Sequence, residues 1–223
     1  MRILLQHRSR YGYPTPALLG PQLVRLRPAA HAKARIETYG LNVAPETQLR
    51  WQHDANGNQI ARLVFPKGLR VDALELVVEM AIDVRPLNPF DFFVDERCDT
   101  LPFQYPPEVR AELAPFLALE DPAYGTGTRF EQLLATLPKA GPTVPALVDI
   151  NQRVNATVGY IIREESGIYT PEETLQNGRG SCRDSAVLLV ALLRRLGMAA
   201  RFASGYLVQL ADEGMLPDEP RGM

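Results

Sequence analysis

Apolar and polar positions alternate along the first third of the chain, and an apolar repeat of three and four residues takes over in the last third. Val24-Arg25-Leu26-Arg27 turns apolar and basic residues to opposite sides, as a strand buried on one face requires. Arg35 to Val43 and Leu49 to His53 are further short strand candidates, and His7 falls in a first one. Asp54-Ala55-Asn56-Gly57-Asn58 predicts a tight turn, because Asn-Gly tolerates the positive φ that hairpins need. Gln59 to Phe65 is then the return strand. Leu69 to Val84 alternates for much of its length, with Leu74, Leu76 and Val78 on one side. Its Glu, Leu and Met residues would also suit a helix. The β-branched Val71, Val77, Val78, Ile82 and Val84, with no capping residue ahead of them, favour the strand. Five to seven short strands joined by turns predict an antiparallel β-sandwich over residues 1–86.

Composition shifts at Arg85-Pro86-Leu87-Asn88-Pro89. Many of the 19 prolines lie between there and Pro122, which predicts an irregular connection over 87–125 with one short helix at Glu108 to Leu119. Phe90, Phe92 and Phe93 suit packing at a domain junction, with ligand binding as the alternative. From residue 126 to 223 the period is helical. Thr128 to Leu137 is one helix, and Val144 to Ile162 a longer one, with Leu147, Ile150, Val154, Val158 and Ile161 at three- and four-residue steps. Thr170-Pro171-Glu172-Glu173 opens another with a capping box, ending near Asn177-Gly178. The next runs from Cys182 to Leu196, stops at Gly197, and carries Arg194 and Arg195 where they complement the helix dipole. Its middle, Ala186 to Leu193, is apolar on every face, which predicts a central, buried helix. Ala199 to Leu210 is expected to leave it as a strand.

The 223 residues are 46% hydrophobic and 22% charged with a net charge of −2. That balance gives no reason to expect nucleic acid or an anionic membrane surface as partner. No apolar run of about 18 residues occurs, and the N-terminus turns charged too early for a secretory signal, so the expected location is the cytoplasm. Cys98 and Cys182 sit in unlike contexts and are read as free thiols. No paired Cys or His spacing suggests a metal, and no cofactor is implied.

The chemistry gathers at Gly178-Arg179-Gly180-Ser181-Cys182-Arg183-Asp184-Ser185-Ala186. A thiol attacks as thiolate, and the free N–H groups at a helix N-terminus stabilise negative charge on it and on the oxyanion it would generate. Gly178 and Gly180 are expected to leave room for a substrate backbone, and Arg183 adds positive charge. A buried structural cysteine is the plainer alternative. Cys98, between Arg97 and Asp99, suits a surface thiol.

Seven stretches carry a resemblance. Thr170 to Leu175, Gly178 to Asp184 and Leu196 to Leu207 are together similar to the core of bacterial transglutaminase-like proteins. Tyr11-Gly12-Tyr13, Leu19-Gly20-Pro21-Gln22 and Arg25-Leu26-Arg27-Pro28 resemble the β-rich N-terminal domain that precedes that core. Asn88 to Val94 resembles a subgroup in which both units open a much larger polypeptide. The resemblance implies an α+β protein: an N-terminal antiparallel β-sandwich, then the helical lobe of a papain-like, transglutaminase-like core whose sheet is incomplete here. It implies Cys182 as nucleophile, with Arg183 and Asp184 fixing the helix start, and a histidine and an aspartate on following strands. Neither strand is present, and Leu216 to Gly222 resembles the loop leading to the first of them. The expectation is therefore that these residues alone are inactive or nearly so.

The implied activity is acyl chemistry on an amide or peptide bond through a thioester at Cys182, with transfer to water or an amine. Its partner would be a protein or peptide substrate. His7, His31 and His53 all lie upstream, and a β-domain loop bringing one to the thiol is the weaker route to a base. The alternative function is a non-catalytic interaction module of a multidomain protein. An exposed edge at Arg201 to Leu210 is expected to pair with a second copy, giving a homodimer.

Overall fold

The computed structural model describes residues 1–85, 88–119, 121–163 and 165–207. The chain divides into two compact units, Met1–Asp91 and Phe92–Met223. The first holds six strands: β1 (Arg2–Leu18), β2 (Gln22–Val24), β3 (Arg35–Ala44), β4 (Gln48–His53), β5 (Gln59–Val64) and β6 (Arg70–Asp83). They form two antiparallel three-stranded sheets, ordered β1-β6-β3 and β2-β5-β4. Val24, Ala61 and Leu63 of one sheet share a core with Leu74 and Leu76 of the other, which makes the unit a sandwich.

Strand β6 shows why alternation decided against a helix. Leu74, Leu76, Val78 and Met80 are buried every second residue, while Glu75 and Glu79 turn the other way. There Glu75 pairs with Arg8 at 2.9 Å and Glu79 accepts from Gln6 at 2.9 Å. Strand β1 runs for 17 residues, and its ladder with β6 slips between Gly12 and Ala17, where Pro14 and Pro16 offer no N–H. The β4–β5 turn is held as its composition predicts: the Asp54 carboxylate accepts from the amides of Asn56 and Asn58, both at 2.9 Å, and Gly57 takes φ 77°.

The second unit is helical. Its elements are β7 (Thr100–Leu101), α1 (Pro107–Glu112), α2 (Ala114–Leu117), α3 (Thr128–Thr136), β8 (Gly141–Pro142), α4 (Thr143–Thr157), β9 (Gly159–Tyr160), α5 (Pro171–Asn177), β10 (Arg179–Gly180) and α6 (Cys182–Arg195). Phe130, Ile150, Val154, Leu188 and Leu192 form the centre of its core. The proline-rich stretch is not separate from it, since Leu101 is buried in that core and β7 pairs with β8. Only Asp184, Leu188, Ala191 and Leu192 of α6 are fully buried, so the helix packs along one stripe and its other faces are largely half-buried.

Three expected elements differ, the first being the single short helix of Glu108 to Leu119, which is split into α1 and α2. Helix α4 ends at Thr157 rather than Ile162, because Val158 is already extended (φ −114°, ψ 109°) and Gly159 enters a parallel pairing with Arg179. The β-branched Val158, Ile161 and Ile162 suit that extended path as well as they fit a helical repeat. The strand expected over Ala199–Leu210 is absent from residues 199–207, and 208–210 lie outside the described residues. Ala199 to Leu207 contains no β-branched residue. Two of its amides go to single acceptors, Ala199 to the Tyr105 hydroxyl and Ala200 to the Phe116 carbonyl. The edge expected to join two copies therefore has no strand over 201–207.

The N-cap of α3 is Gly127, whose φ of 128° suits glycine and which supplies no capping side chain. Glu172 of α5 fills the role, accepting from the amides of Arg129 (3.2 Å) and Phe130 (2.9 Å). Replacement of this carboxylate, Glu172→Ala, is expected to lower stability by about 1 kcal/mol, as for other lost caps. Denaturant unfolding checks this, and a midpoint equal to that of the unaltered protein contradicts it.

Candidate active site

Helix α6 starts where its sequence predicts. Gly178 closes α5 in the left-handed conformation (φ 62°), β10 follows, and Ser181 is the N-cap of α6 (φ −77°, ψ 172°). Cys182 is the first helical residue and is exposed, as is Arg183. The first helical hydrogen bond runs from the Ser185 amide to the Ser181 carbonyl. The amides of Cys182 and Arg183 therefore open outward at the helix mouth, as the first donors of a helix do.

Asp184, one turn inside, is fully buried. Its Oδ2 accepts from the Ser181 amide and hydroxyl, each at 2.8 Å, and from Arg163 Nε at 3.2 Å. Its Oδ1 accepts from the Tyr169 amide at 2.8 Å and from Arg163 Nη2 at 3.1 Å. Burial alone would push this carboxyl up, but the donors from Ser181, Tyr169 and Arg163 outweigh it and hold the group below the usual carboxylate range. The Asp184 hydrogen bond, working against desolvation, raises the Arg163 guanidinium in turn. That guanidinium also donates to the Gly167 carbonyl (2.8 Å) and stacks on the Tyr169 ring at 3.9 Å. One carboxylate thus ties the start of α6 to both ends of the 163–169 loop.

Of the two glycines ahead of the thiol, Gly180 packs against this anchor, while Gly178 faces open space. Gly178 supplies the left-handed turn, and a Cβ on the buried Gly180 would lie 2.9 Å from the Asp184 Cβ. β9 and β10 then run parallel: the Gly159 amide donates to the Gly178 carbonyl at 2.9 Å and the Ile161 amide to the Gly180 carbonyl at 3.0 Å. Beside this ribbon lies a groove of about 220 Å³ bounded by Ile161, Ile162, Arg163, Glu165, Tyr169, Asn177 and Arg179.

Of the predicted site residues, Cys182, Arg183 and Asp184 stand together at the mouth of α6. Arg183 reaches back with a long hydrogen bond, 3.4 Å, to the Arg163 carbonyl. Arg163 and Tyr169 carry no sequence signal of their own, because their role depends on a loop closing onto Asp184. The second thiol, Cys98, is half-buried, and burial pushes it up, with Asp95 and Asp99 adding to the shift against Arg97. His7, His31 and His53 all belong to the first unit. His7 Nε2 lies 2.9 Å from Ser9 Oγ.

A sandwich followed by a helical unit with a thiol heading a core helix is the layout of a papain-like fold with an added N-terminal domain. Residues 3–84 match the bacterial transglutaminase-like N-terminal region, and residues 132–216 match the transglutaminase-like superfamily. The chain is thus a transglutaminase-like protein carrying the N-terminal region found in the bacterial ones. A crystal structure of a candidate cysteine protease from Cytophaga hutchinsonii superposes with a TM-score of 0.59 at 17% identity, covering 87% of this chain. The chain spans 66% of the length of that protein. No curated protein matches the sequence.

Proposed function

We propose that Cys182 is the nucleophile of a papain-like cysteine enzyme that forms a thioester with the acyl group of an amide or peptide. The observation that carries this reading is an exposed thiol at the first position of a core helix whose start is fixed by a fully buried carboxylate. Attack of the thiolate on the carbonyl carbon forms the C–S bond, and collapse of the tetrahedral adduct breaks the C–N bond. The departing nitrogen must take a proton. The outward amides of Cys182 and Arg183 face the developing oxyanion. Water or an amine then takes the acyl group from sulfur, giving hydrolysis or transfer.

The proton for the leaving nitrogen needs a general acid, and no histidine follows Cys182 among these 223 residues. General acid–base assistance contributes about two to four orders of magnitude in rate. Cys182 therefore accounts for acyl capture, and turnover on an unactivated amide requires an imidazole beside it as well.

An activated, uncharged acyl ester separates the two halves, because its leaving group needs no protonation. The expected result is one acyl group per chain, found on the Cys182 peptide by mass spectrometry, with no turnover of a plain peptide amide. Absence of an adduct, or an adduct on Cys98 alone, overturns the nucleophile assignment and favours a binding module.

A further inference from the structure

We propose that the groove beside the β9–β10 ribbon is a specificity subsite for an acidic side chain on an extended peptide, with Arg179 as its ionic partner. The inference deepens the function proposed above by naming the class of substrate, and it rests on that reading. Three observations support it.

The first is backbone direction. Gly159 and Ile161 spend their amides on β10. Tyr160 between them turns its own N–H and C=O to the opposite edge of the ribbon, as alternation along a strand requires. β9 has no second neighbour among the described residues, so this edge is open to an added strand. Such an edge holds an extended chain by its main-chain groups while adjacent pockets select side chains. Tyr160 and Ile162 are 64% and 68% exposed, which leaves apolar cover for that chain.

The second is size and place. At about 220 Å³ the groove is smaller than the roughly 300–1,000 Å³ usual for small-molecule sites, so it suits one side chain. Arg179 bounds it and stands three residues before Cys182, a separation that chain geometry limits to about 11 Å. A side chain held there lies within a few residues of the bond presented to the thiol.

The third is charge. Arg163 is committed to Asp184 and to the Gly167 carbonyl. Arg179 and Arg183 have no carboxylate partner among the described residues. Of the charged residues lining the groove, Arg163 is paired with Asp184, whereas Arg179 and Glu165 have no ion-pair partner among the described residues, and the mouth of α6 adds partial positive charge. The unmatched donor in the groove is Arg179, which has the geometry to take a carboxylate in two parallel hydrogen bonds.

The test uses the full chain with Cys182→Ser, so that binding is read without covalent capture. Two extended fluorescent peptides differing only by Glu or Gln at one position are titrated by anisotropy, placing that position in turn along the peptide. At one position the Glu peptide is expected to bind about tenfold tighter, in line with a charge-assisted hydrogen bond, and the advantage should shrink with added salt. Arg179→Gln is expected to erase it and Arg179→Glu to favour a Lys peptide. No binding by any of these peptides, a preference blind to charge at every position, or a Glu preference that survives Arg179→Glu overturns the proposal. Acyl capture by the unaltered protein is scored separately with the uncharged ester. A charge preference without capture would refute the enzyme reading alone, and capture with charge-blind binding would refute the subsite alone.

Discussion

The Cys182→Ser protein is expected to lose acyl capture by at least about 100-fold relative to the unaltered chain, while Cys98→Ser leaves capture intact. The difference follows from where the two sulfurs stand. Cys182 is exposed at the first position of α6, with two helix-mouth amides beside it. Cys98 is half-buried, and its surroundings hold its proton on. A serine hydroxyl ionises far less readily than a thiol and has no adjacent base here, so the same geometry leaves it a poor nucleophile. Intact-mass analysis after a fixed exposure to the activated ester reads both variants directly. Equal capture by Cys182→Ser and the unaltered chain would show that the chemistry is elsewhere.

The second large effect concerns the carboxylate beneath the thiol. Asp184→Ala is expected to destabilise the helical unit by about 3–5 kcal/mol, the range for breaking a buried ion pair from one side. The loss is large because Arg163, whose side chain is only 6% exposed, would keep its charge without its partner. The Ser181 and Tyr169 amides would lose their acceptor at the same time. Asp184→Asn keeps the shape and one acceptor oxygen, so it is expected to lose less.

The same group gives a pH dependence with a definite sign. Its folded value lies below the unfolded one, so its stabilisation is complete above the ordinary carboxylate range near pH 4 and disappears as pH falls through the folded value. Asp184→Asn should flatten that part of the acid limb. Unfolding curves from neutrality to pH 2 check both statements, and an Asp184→Ala protein as stable as the unaltered one at neutral pH contradicts the anchor.

Local rules made much of this molecule legible. The alternation of β6, the Asp54–Asn58 turn, the capping box of Thr170 and Glu173, and the stop at Gly197 each rest on interactions between near neighbours in sequence. The position of Cys182 at the helix start belongs to the same class. What escaped the sequence depends on contacts between distant residues. Val158 to Ile162 continues a helical repeat on paper, and only the facing Gly178–Gly180 carbonyls make it extended. Arg163 looks like any surface arginine until the 163–169 loop brings it 21 residues forward onto Asp184. Glu172 presents itself as a first-turn residue of α5, yet its carboxylate caps α3, 42 and 43 residues upstream. The missing strand after α6 illustrates the converse: a strand requires a neighbour, and Ala199 to Leu207 has none in the described residues.

The most direct measurement of the central claim is a timed alkylation of the unaltered protein with a small neutral reagent, followed by peptide mapping of both cysteines. Modification of Cys182 at least about ten times faster than of Cys98 is the predicted result, since reactivity follows exposure and thiolate content. Cys98 modified as fast as Cys182, or before it, would contradict the assignment of Cys182 as the primed nucleophile.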